Sequence, residues 1–266
     1  MRRIAVCMKS VAAGNAEVQA DGGLRRTAET SAMNPADLCA LEAARLLAPI
    51  GEGEVCVFSM GPAGPVQNLL QEAARLGADC LYQISDGRYA GSDTLATARV
   101  LQRALEVYGP FDLVLCGERA VDGETGQVPG MLSALLGWPC VNGVVAVRLG
   151  DREAVCSSLT ETARETLRMP LPAVLGISCG MEGLPPVAVP SLQMLRRAQS
   201  IRPQLVSNDD LQLPPDRVGR AGSPTSVIRT TAAAWGRACL RLTTPEAGVA
   251  ETMASLNGIG PTGGAE

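Results

Sequence analysis

The chain has 266 residues, enough for one large domain or for one domain with a substantial appendage, and it is 46% apolar and 19% charged. A net charge of −4 gives no general electrostatic basis for binding nucleic acid or an anionic membrane, and 3% aromatic residues leave few surfaces for base stacking. Histidine is absent, which excludes a Ser-His-Asp or Cys-His mechanism and a histidine metal site within this chain. Chemistry performed here therefore requires a cofactor or a partner.

The nine cysteines fall singly along the chain, without a C-x-x-C pair, and most lie inside apolar runs. This spacing favours buried thiols in a reducing compartment over a disulfide framework or a zinc site. No apolar run approaches the roughly 20 residues of a membrane-spanning helix, and the apolar segment after Met1-Arg2-Arg3 is too short for a signal peptide. We expect a cytoplasmic protein without membrane insertion.

Strand-like and helix-like segments alternate through the first 140 residues. Asn34 is a candidate N-cap and Pro35 suits the first turn of a helix that ends before Gly51. Strands separated by helices of this length predict parallel pairing with right-handed crossovers, and hence an α/β fold. The predicted strands are 3–8, 27–32, 54–60, 80–84 and 111–116, and further predicted helices are 65–76 and 94–108.

The pattern changes after Trp138. Segments 141–148, 154–159 and 164–168 resemble short strands joined by tight turns, and they predict a small antiparallel extension. Segment 171–178 is expected to rejoin the main sheet, followed by a protruding loop and a short helix at 191–200. We predict a domain over residues 1–200 and an extended C-terminal arm over 201–266, with one helix between Pro245 and Leu256.

A polar, glycine-containing loop separates the strand that stops at Gly117 from an apolar helix that Gly137 and Pro139 end. Free backbone N–H groups at a helix start, next to small residues, suit a phosphate at the carboxyl end of a parallel strand. The alternative is an ordinary strand-to-helix connection in which Asp122 is a turn or capping residue.

Several motifs resemble, in order and spacing, those of the electron transfer flavoprotein beta subunit family. The resemblance covers most of the chain and rests on Met33-Asn34-Pro35-Ala36-Asp37, Ser59-Met60-Gly61-Pro62, Ala73-Ala74-Arg75-Leu76-Gly77-Ala78-Asp79, Ala120-Val121-Asp122-Gly123-Glu124-Thr125-Gly126-Gln127, Leu136-Gly137-Trp138-Pro139 and Leu171-Pro172-Ala173-Val174-Leu175. It implies a doubly wound, Rossmann-like domain that forms a heterodimer with an alpha subunit. Such a chain is an electron carrier subunit more than an enzyme by itself.

In this family the redox FAD is held mainly by the alpha subunit, and the beta subunit buries a second adenine nucleotide, usually AMP. Carried over by position, the nucleotide contacts would be Cys7, Asn34, Met60, Asp122, Gly123, Glu124, Thr125, Gly126, Gln127 and Val128. Backbone amides at 123–127 can hold phosphate, and Asp122 is better suited to organise the loop or to accept a hydroxyl.

The loop departs from the AMP-type pattern. Segment 122–128 is closer to the Asp-Gly-Asp-Thr-Ala-Gln-Val of members that bind a second FAD and split the electron pair of NADH, and Gly222-Ser223-Pro224-Thr225 also resembles that branch. Pro129-Gly130 inverts the order found there, and 159–167 keeps little of the family's acidic-glycine motif. AMP and a second FAD both remain open.

The family's protruding loop docks on an acyl-CoA-dehydrogenase-like or other flavin dehydrogenase. Its counterpart here is Gly180-Met181-Glu182-Gly183-Leu184, with Met181 in place of the anchor leucine and Leu184 beside it. The family's arginine and proline are missing, which indicates a different partner or loop conformation. Two other classes stay open, namely a nucleotide-binding enzyme or sensor of a related α/β fold, whose phosphate motifs this chain lacks, and a structural interaction subunit.

Overall fold

A computed structural model describes residues 1–12, 27, 29–180, 189–227 and 244–258. The chain divides into two compact units, residues 1–230 and residues 231–266. The described part of the second unit is a single helix, α7 (Pro245–Gly258), preceded by Thr244. Among the helices of the described residues, none is both long and apolar enough to cross a membrane.

In the part that the structure describes, the first unit contains eleven strands, six α-helices and two short 3-10 helices, Gly87–Tyr89 and Pro215–Arg217. The strands are β1 (Arg2–Cys7), β2 (Ser10–Ala12), β3 (Ser31–Met33), β4 (Gly53–Met60), β5 (Cys80–Ile84), β6 (Leu113–Gly117), β7 (Cys140–Leu149), β8 (Glu153–Leu159), β9 (Arg164–Pro170), β10 (Ala173–Ile177) and β11 (Gln204–Val206). The helices are α1 (Pro35–Leu47), α2 (Ala63–Arg75), α3 (Thr94–Tyr108), α4 (Val128–Leu136), α5 (Leu192–Ala198) and α6 (Asn208–Leu211).

Nine of these strands form one sheet in the order β11-β5-β4-β1-β6-β10-β7-β8-β9. The pairs from β11 to β7 are parallel, as helical crossovers require, and β8 and β9 continue the sheet as an antiparallel extension. The predicted α/β fold class, a mostly parallel doubly wound sheet with a small antiparallel extension, is confirmed.

Successive residues of a strand point to opposite faces of the sheet, and helices cover both faces. In β1, Ile4 and Val6 face a core that includes Leu41 of α1 and Leu70 of α2. Ala5 and Cys7 of the same strand face a second core built with Leu101 of α3 and Leu132 of α4. All eight of these side chains are buried, which explains the continuously apolar strands of the sequence.

The strand predicted over residues 27–32 is wrong in its extent. Of the described residues between 27 and 33, only Ser31–Met33 form a strand, and they pair antiparallel with β2 in a separate two-stranded sheet. Thr27 and Thr30 instead bond locally, since the Thr27 hydroxyl oxygen accepts the Thr30 backbone N–H at 3.3 Å. Such threonine turns compete with strand pairing, and a propensity argument does not detect them.

The first part of the predicted arm joins the sheet of the first unit. β11 pairs in parallel with β5, and its residue Val206 is buried in the second core together with Leu211 and Val218 from the segment after it. That residues 201–266 pack on a partner subunit remains a prediction.

The two outer strands of the sheet differ. In β9 every side chain except Met169 is exposed, and three of the exposed ones, Arg164, Glu165 and Arg168, are charged. At the opposite edge, β11 has only three residues. Each outer strand is hydrogen-bonded to the sheet on one side.

Candidate functional site

The candidate site lies where the strand order reverses. The chain leaves β1 through α1 toward β4 on one side, and it leaves β6 through α4 toward β7 and β10 on the other side. The carboxyl ends of the neighbouring strands β1 and β6 therefore border a crevice, which is where ligands bind in open α/β sheets. The loop predicted to hold phosphate, residues 118–127, begins at this point, directly after Gly117.

A buried carboxylate joins the two strand ends. Asp37, in the first turn of α1, accepts the backbone N–H of Lys9 at 2.7 Å and that of Gly117 at 3.0 Å. Burial raises the pKa of Asp37 to about 6, although these hydrogen bonds oppose the rise. A side chain at 117 would collide with the Asp37 carboxylate and with Ala36, so glycine permits this close approach of strand and helix.

Asn34 positions the loop. It occupies the N-cap position of α1, as predicted, but its side chain does not cap the helix. Its amide nitrogen donates to the Arg119 carbonyl at 2.9 Å, and its amide oxygen accepts the Val121 N–H at 3.2 Å. Asn34 is only 1% exposed, and both of its side-chain bonds hold the loop, while its predicted contact with a nucleotide stays a prediction.

A lysine lies against the same loop. The Lys9 ammonium pairs with the Asp122 carboxylate at 2.5 Å, and the Asp122 side chain is 6% exposed while that of Lys9 is 40% exposed. Asp122 is thus engaged within the protein, and its role as a loop organiser or hydroxyl acceptor stays a prediction. Lys9 keeps a solvent-facing cationic surface beside Gly123, where a phosphate would gain from the positive charge.

The backbone of the loop is strongly curved and open to solvent. Glu124 and Gly126 both have left-handed φ angles, 48° and 61°, and Gly123, Glu124 and Thr125 are exposed. α4 starts immediately afterwards, and Gln127 does not cap it with its side chain. Uncapped amides at a helix start, approached by a glycine-containing loop, form an arrangement that binds anions.

The Gly222-Ser223-Pro224-Thr225 segment is anchored close to this loop. Asp93, the N-cap of α3, accepts the Thr225 hydroxyl at 2.8 Å, and its own N–H donates to the Ser223 hydroxyl at 2.8 Å. The next residue, Thr94, donates its hydroxyl to the Gln127 side chain at 3.0 Å. The start of α3 therefore connects this segment to the end of the loop.

The structure brings most of the predicted site residues to one edge of the sheet. Asn34 and Asp122 are linked to the 118–128 segment by the bonds above, and Cys7 and Met60 end the parallel strands β1 and β4 at the same edge. Val128 is the first residue of α4. A nucleotide contact by any of these residues stays a prediction, and Met181 and Leu184 lie outside the described residues.

Three residues that organise this edge escaped the sequence analysis, namely Lys9, Asp37 and Asp93. Asp37 belongs to the Asn-Pro-x-Asp motif, so its burial at a helix start could have been considered. Lys9 follows the first strand by two residues, a position that always lies near the carboxyl edge. Asp93 precedes a helix and matches an N-cap, but its bonds to residues 223 and 225 span 130 and 132 positions.

The fold and the crevice define a doubly wound α/β protein with a ligand-binding edge at its topological switch point. The family model "Electron transfer flavoprotein domain" matches residues 22–181. The CarD subunit of the caffeyl-CoA reductase-Etf complex of Acetobacterium woodii is 34% identical over 232 residues, with 86% of this chain and 87% of CarD covered. The chain belongs to the electron transfer flavoprotein beta subunit family.

Two further relatives support this membership. The electron transfer flavoprotein subunit beta of Thermoanaerobacterium thermosaccharolyticum is 33% identical, with 78% of each chain covered. The acryloyl-CoA reductase electron transfer subunit gamma of Anaerotignum propionicum is 28% identical, with 86% of this chain and 87% of the relative covered.

Proposed function

We propose that this chain is the beta subunit of a heterodimeric electron transfer flavoprotein and that its switch-point crevice binds an adenine nucleotide. The single observation that supports this most is the arrangement of Asn34, Asp37 and Lys9, which hold a glycine-containing loop open in front of α4. In the competing roles, as a related enzyme or sensor or as a structural subunit, the same loop would serve another ligand or none.

The residues present fit a nucleotide phosphate. Gly123 and Gly126 add no side chain to the loop, and a Cβ at Gly123 would meet nothing closer than the Lys9 ammonium at 3.9 Å. Backbone N–H groups of the loop and of the first turn of α4 would donate hydrogen bonds to the phosphate oxygens, and Lys9 would balance their charge. Thr125 and Gln127 would add a hydroxyl and an amide as further polar groups of the same loop.

The nucleotide is AMP or a second FAD. Segment 222–225 is anchored beside Gln127, and both this segment and the loop resemble the bifurcating branch of the family. Their proximity favours FAD. A bound flavin would supply electron-transfer chemistry at this site, whereas AMP would be structural. The names of two relatives, a caffeyl-CoA reductase-Etf complex subunit and an acryloyl-CoA reductase subunit, are compatible with a role in a similar complex.

The remaining partners follow from family membership. An alpha subunit would hold the redox FAD, and a flavin dehydrogenase, of the acyl-CoA dehydrogenase type or another, would exchange electrons with it. We further propose that Met181 and Leu184 contact the dehydrogenase, that the arm contacts the alpha subunit, and that electron transport takes place in the cytoplasm.

The first experiment identifies the nucleotide. The chain is purified without added nucleotide and denatured in acid, and the released compounds are separated by chromatography. We expect FAD or AMP at close to one equivalent per chain. Release of neither, combined with a melting temperature that responds to neither in the ligand-free protein, would contradict the nucleotide site and support the structural alternative.

The second experiment tests the loop with a matched pair of substitutions, Gly126→Ala and Gly137→Ala. Both glycines have left-handed φ angles, 61° and 69°, so both variants carry a similar backbone strain of about 1–2 kcal/mol. Gly137 ends α4 at the far side from the loop, and a Cβ there meets nothing within 4 Å. We expect both to lower the melting temperature and only Gly126→Ala to reduce nucleotide occupancy. Equal occupancy in the two variants would contradict a phosphate contact at Gly126.

A further inference from the structure

Two thiols and a carboxylate meet at the edge of the sheet opposite the nucleotide crevice. Glu54 and Cys56 lie two residues apart near the start of β4, and both side chains point to the same face. Cys80 is the first residue of β5 and stands directly opposite Cys56 in the parallel register. The group therefore sits at the amino ends of β4 and β5, at the edge of the sheet opposite the one that carries the crevice.

The donor atoms are already close together. One sulfur or oxygen from each of the three residues lies within 4.8 Å of the other two. The Cys80 sulfur is 3.2 Å from one Glu54 oxygen, and the Cys56 sulfur is 3.6 Å from the other. Around a tetrahedral zinc ion, with Zn–S near 2.3 Å and Zn–O near 2.0–2.2 Å, neighbouring ligand atoms are roughly 3.5–3.8 Å apart. Side-chain shifts of about an ångström would complete the coordination.

An arginine contacts two of the three residues and balances their charge. Arg3 donates to one Glu54 oxygen at 2.5 Å and lies 3.8 Å from the Cys56 sulfur. The second Glu54 oxygen faces Cys80 and is available to an ion. Two thiolates, a carboxylate, a divalent cation and the guanidinium sum to zero net charge, so the site would not leave an uncompensated charge in the sheet. Arg3 is itself fixed by stacking over Phe111 at 4.8 Å.

We propose that Glu54, Cys56 and Cys80 form a binding site for a thiophilic divalent cation of the zinc class, with Arg3 as the outer-shell partner. Sulfur ligands select such ions over magnesium or calcium, which prefer oxygen. The Glu54 side chain is 32% exposed, so an ion and a fourth, water ligand can reach the site from solvent. Binding would tie β1, β4 and β5 together at one edge and is independent of nucleotide binding.

The test is a titration of the full-length, reduced chain with Cd²⁺, whose thiolate complexes absorb in the ultraviolet, followed by competition with Zn²⁺. We expect the first equivalent of Cd²⁺ to produce a thiolate band that Zn²⁺ removes, together with a rise in melting temperature. Cys80→Ser should abolish that band in the first equivalent. Glu54→Gln keeps both thiols and should weaken binding at least about tenfold.

Cys140→Ser is the matched control, because Cys140 is also a partly buried first residue of a strand in the same sheet. It should bind the first equivalent as the unmodified chain does. An identical band and affinity in Cys80→Ser and in the unmodified chain would overturn the proposal, and so would equal losses in Cys80→Ser and Cys140→Ser. If Cys80→Ser fails to fold, Glu54→Gln decides, since unchanged affinity in that variant excludes the site.

Discussion

Replacing Asn34 by alanine should separate the organisation of the loop from the stability of the fold. The substitution removes the two side-chain bonds to Arg119 and Val121, and the freed backbone groups belong to a partly exposed loop that water can reach. At about 1 kcal/mol for each bond, we expect the free energy of unfolding to fall by about 2 kcal/mol. The loop would then sample other conformations, and nucleotide affinity should fall at least tenfold.

Asn208→Ala provides the control for this prediction. Asn208 is 5% exposed and also bridges a backbone donor and acceptor, since its amide donates to the Leu213 carbonyl at 2.9 Å and accepts the Leu213 N–H at 3.3 Å. Because the Asn208 amide oxygen also accepts the Tyr89 hydroxyl at 3.3 Å, urea unfolding should give a loss of stability for Asn208→Ala at least as large as for Asn34→Ala. Titrations with AMP and with FAD should show weaker binding only for Asn34→Ala. Unchanged nucleotide affinity in both variants would show that Asn34 contributes only to stability and does not organise the loop for binding.

Three further predictions concern other features of the first unit. Asp37→Asn should remove a pH dependence of stability worth up to about 3 kcal/mol between pH 4 and pH 7, measured by chemical unfolding across that range. Gly117→Ala should destabilise the fold by about 1–3 kcal/mol through overpacking. A Cβ at Gly130 in α4 meets nothing within 4 Å, so Gly130→Ala should stabilise the fold by about 0.5–1 kcal/mol. Thermal unfolding measures both effects. A chain ending at residue 227 should keep its sheet, and one ending at residue 200 should lose at least roughly 4 kcal/mol, measured by urea unfolding, because three buried apolar side chains are removed.

The sign of the pH effect follows from the direction of the pKa shift. The folded-state pKa of Asp37 lies above its ordinary value, so its favourable contribution is complete below about pH 4 and is lost as the pH rises through 6. Other carboxyls, such as Asp86 beside Arg88, have lowered pKa values and act in the opposite sense. The measured quantity is therefore the difference between the unmodified chain and Asp37→Asn, and a pH-independent difference would contradict the prediction.

Each of the other two predictions would be contradicted by a single result. Equal melting temperatures for Gly117→Ala and Gly130→Ala would show that the approach of β6 to α1 is not tight. Equal stability of the chains ending at residues 200 and 227 would show that residues 201–227 contribute nothing to this domain, as expected of an arm that packs only on a partner.

The sequence predicted those helices and strands whose positions are set by the spacing of nearby residues. Pro35 and the apolar spacing that follows it identify α1, and the continuous apolar runs identify the central strands because both of their faces are buried. β11 was not predicted, since three residues are too short for a periodicity and their pairing with β5 is decided by tertiary contacts.

The position of the candidate loop could be predicted from the sequence, but the hydrogen bonds that hold it could not. The loop after β6 follows from a strand, glycines and a helix in sequence, which does not show which side chains contact it. Lys9, which pairs with Asp122, lies 113 positions from it in the sequence, and Arg119, whose carbonyl Asn34 contacts, lies 85 positions from Asn34. Such bonds depend on which strand ends become neighbours, and a single sequence leaves that order open.

The edges of the sheet also affect how the protein can assemble. A long, flat and apolar outer strand would invite another chain to add its own strand. Here the charged, solvent-facing residues of β9 make such pairing costly, and β11 offers a ladder of only three residues. We therefore expect partners to recognise side chains on the helices and loops rather than to extend the sheet, which would also keep copies of this chain from joining into fibres at high concentration.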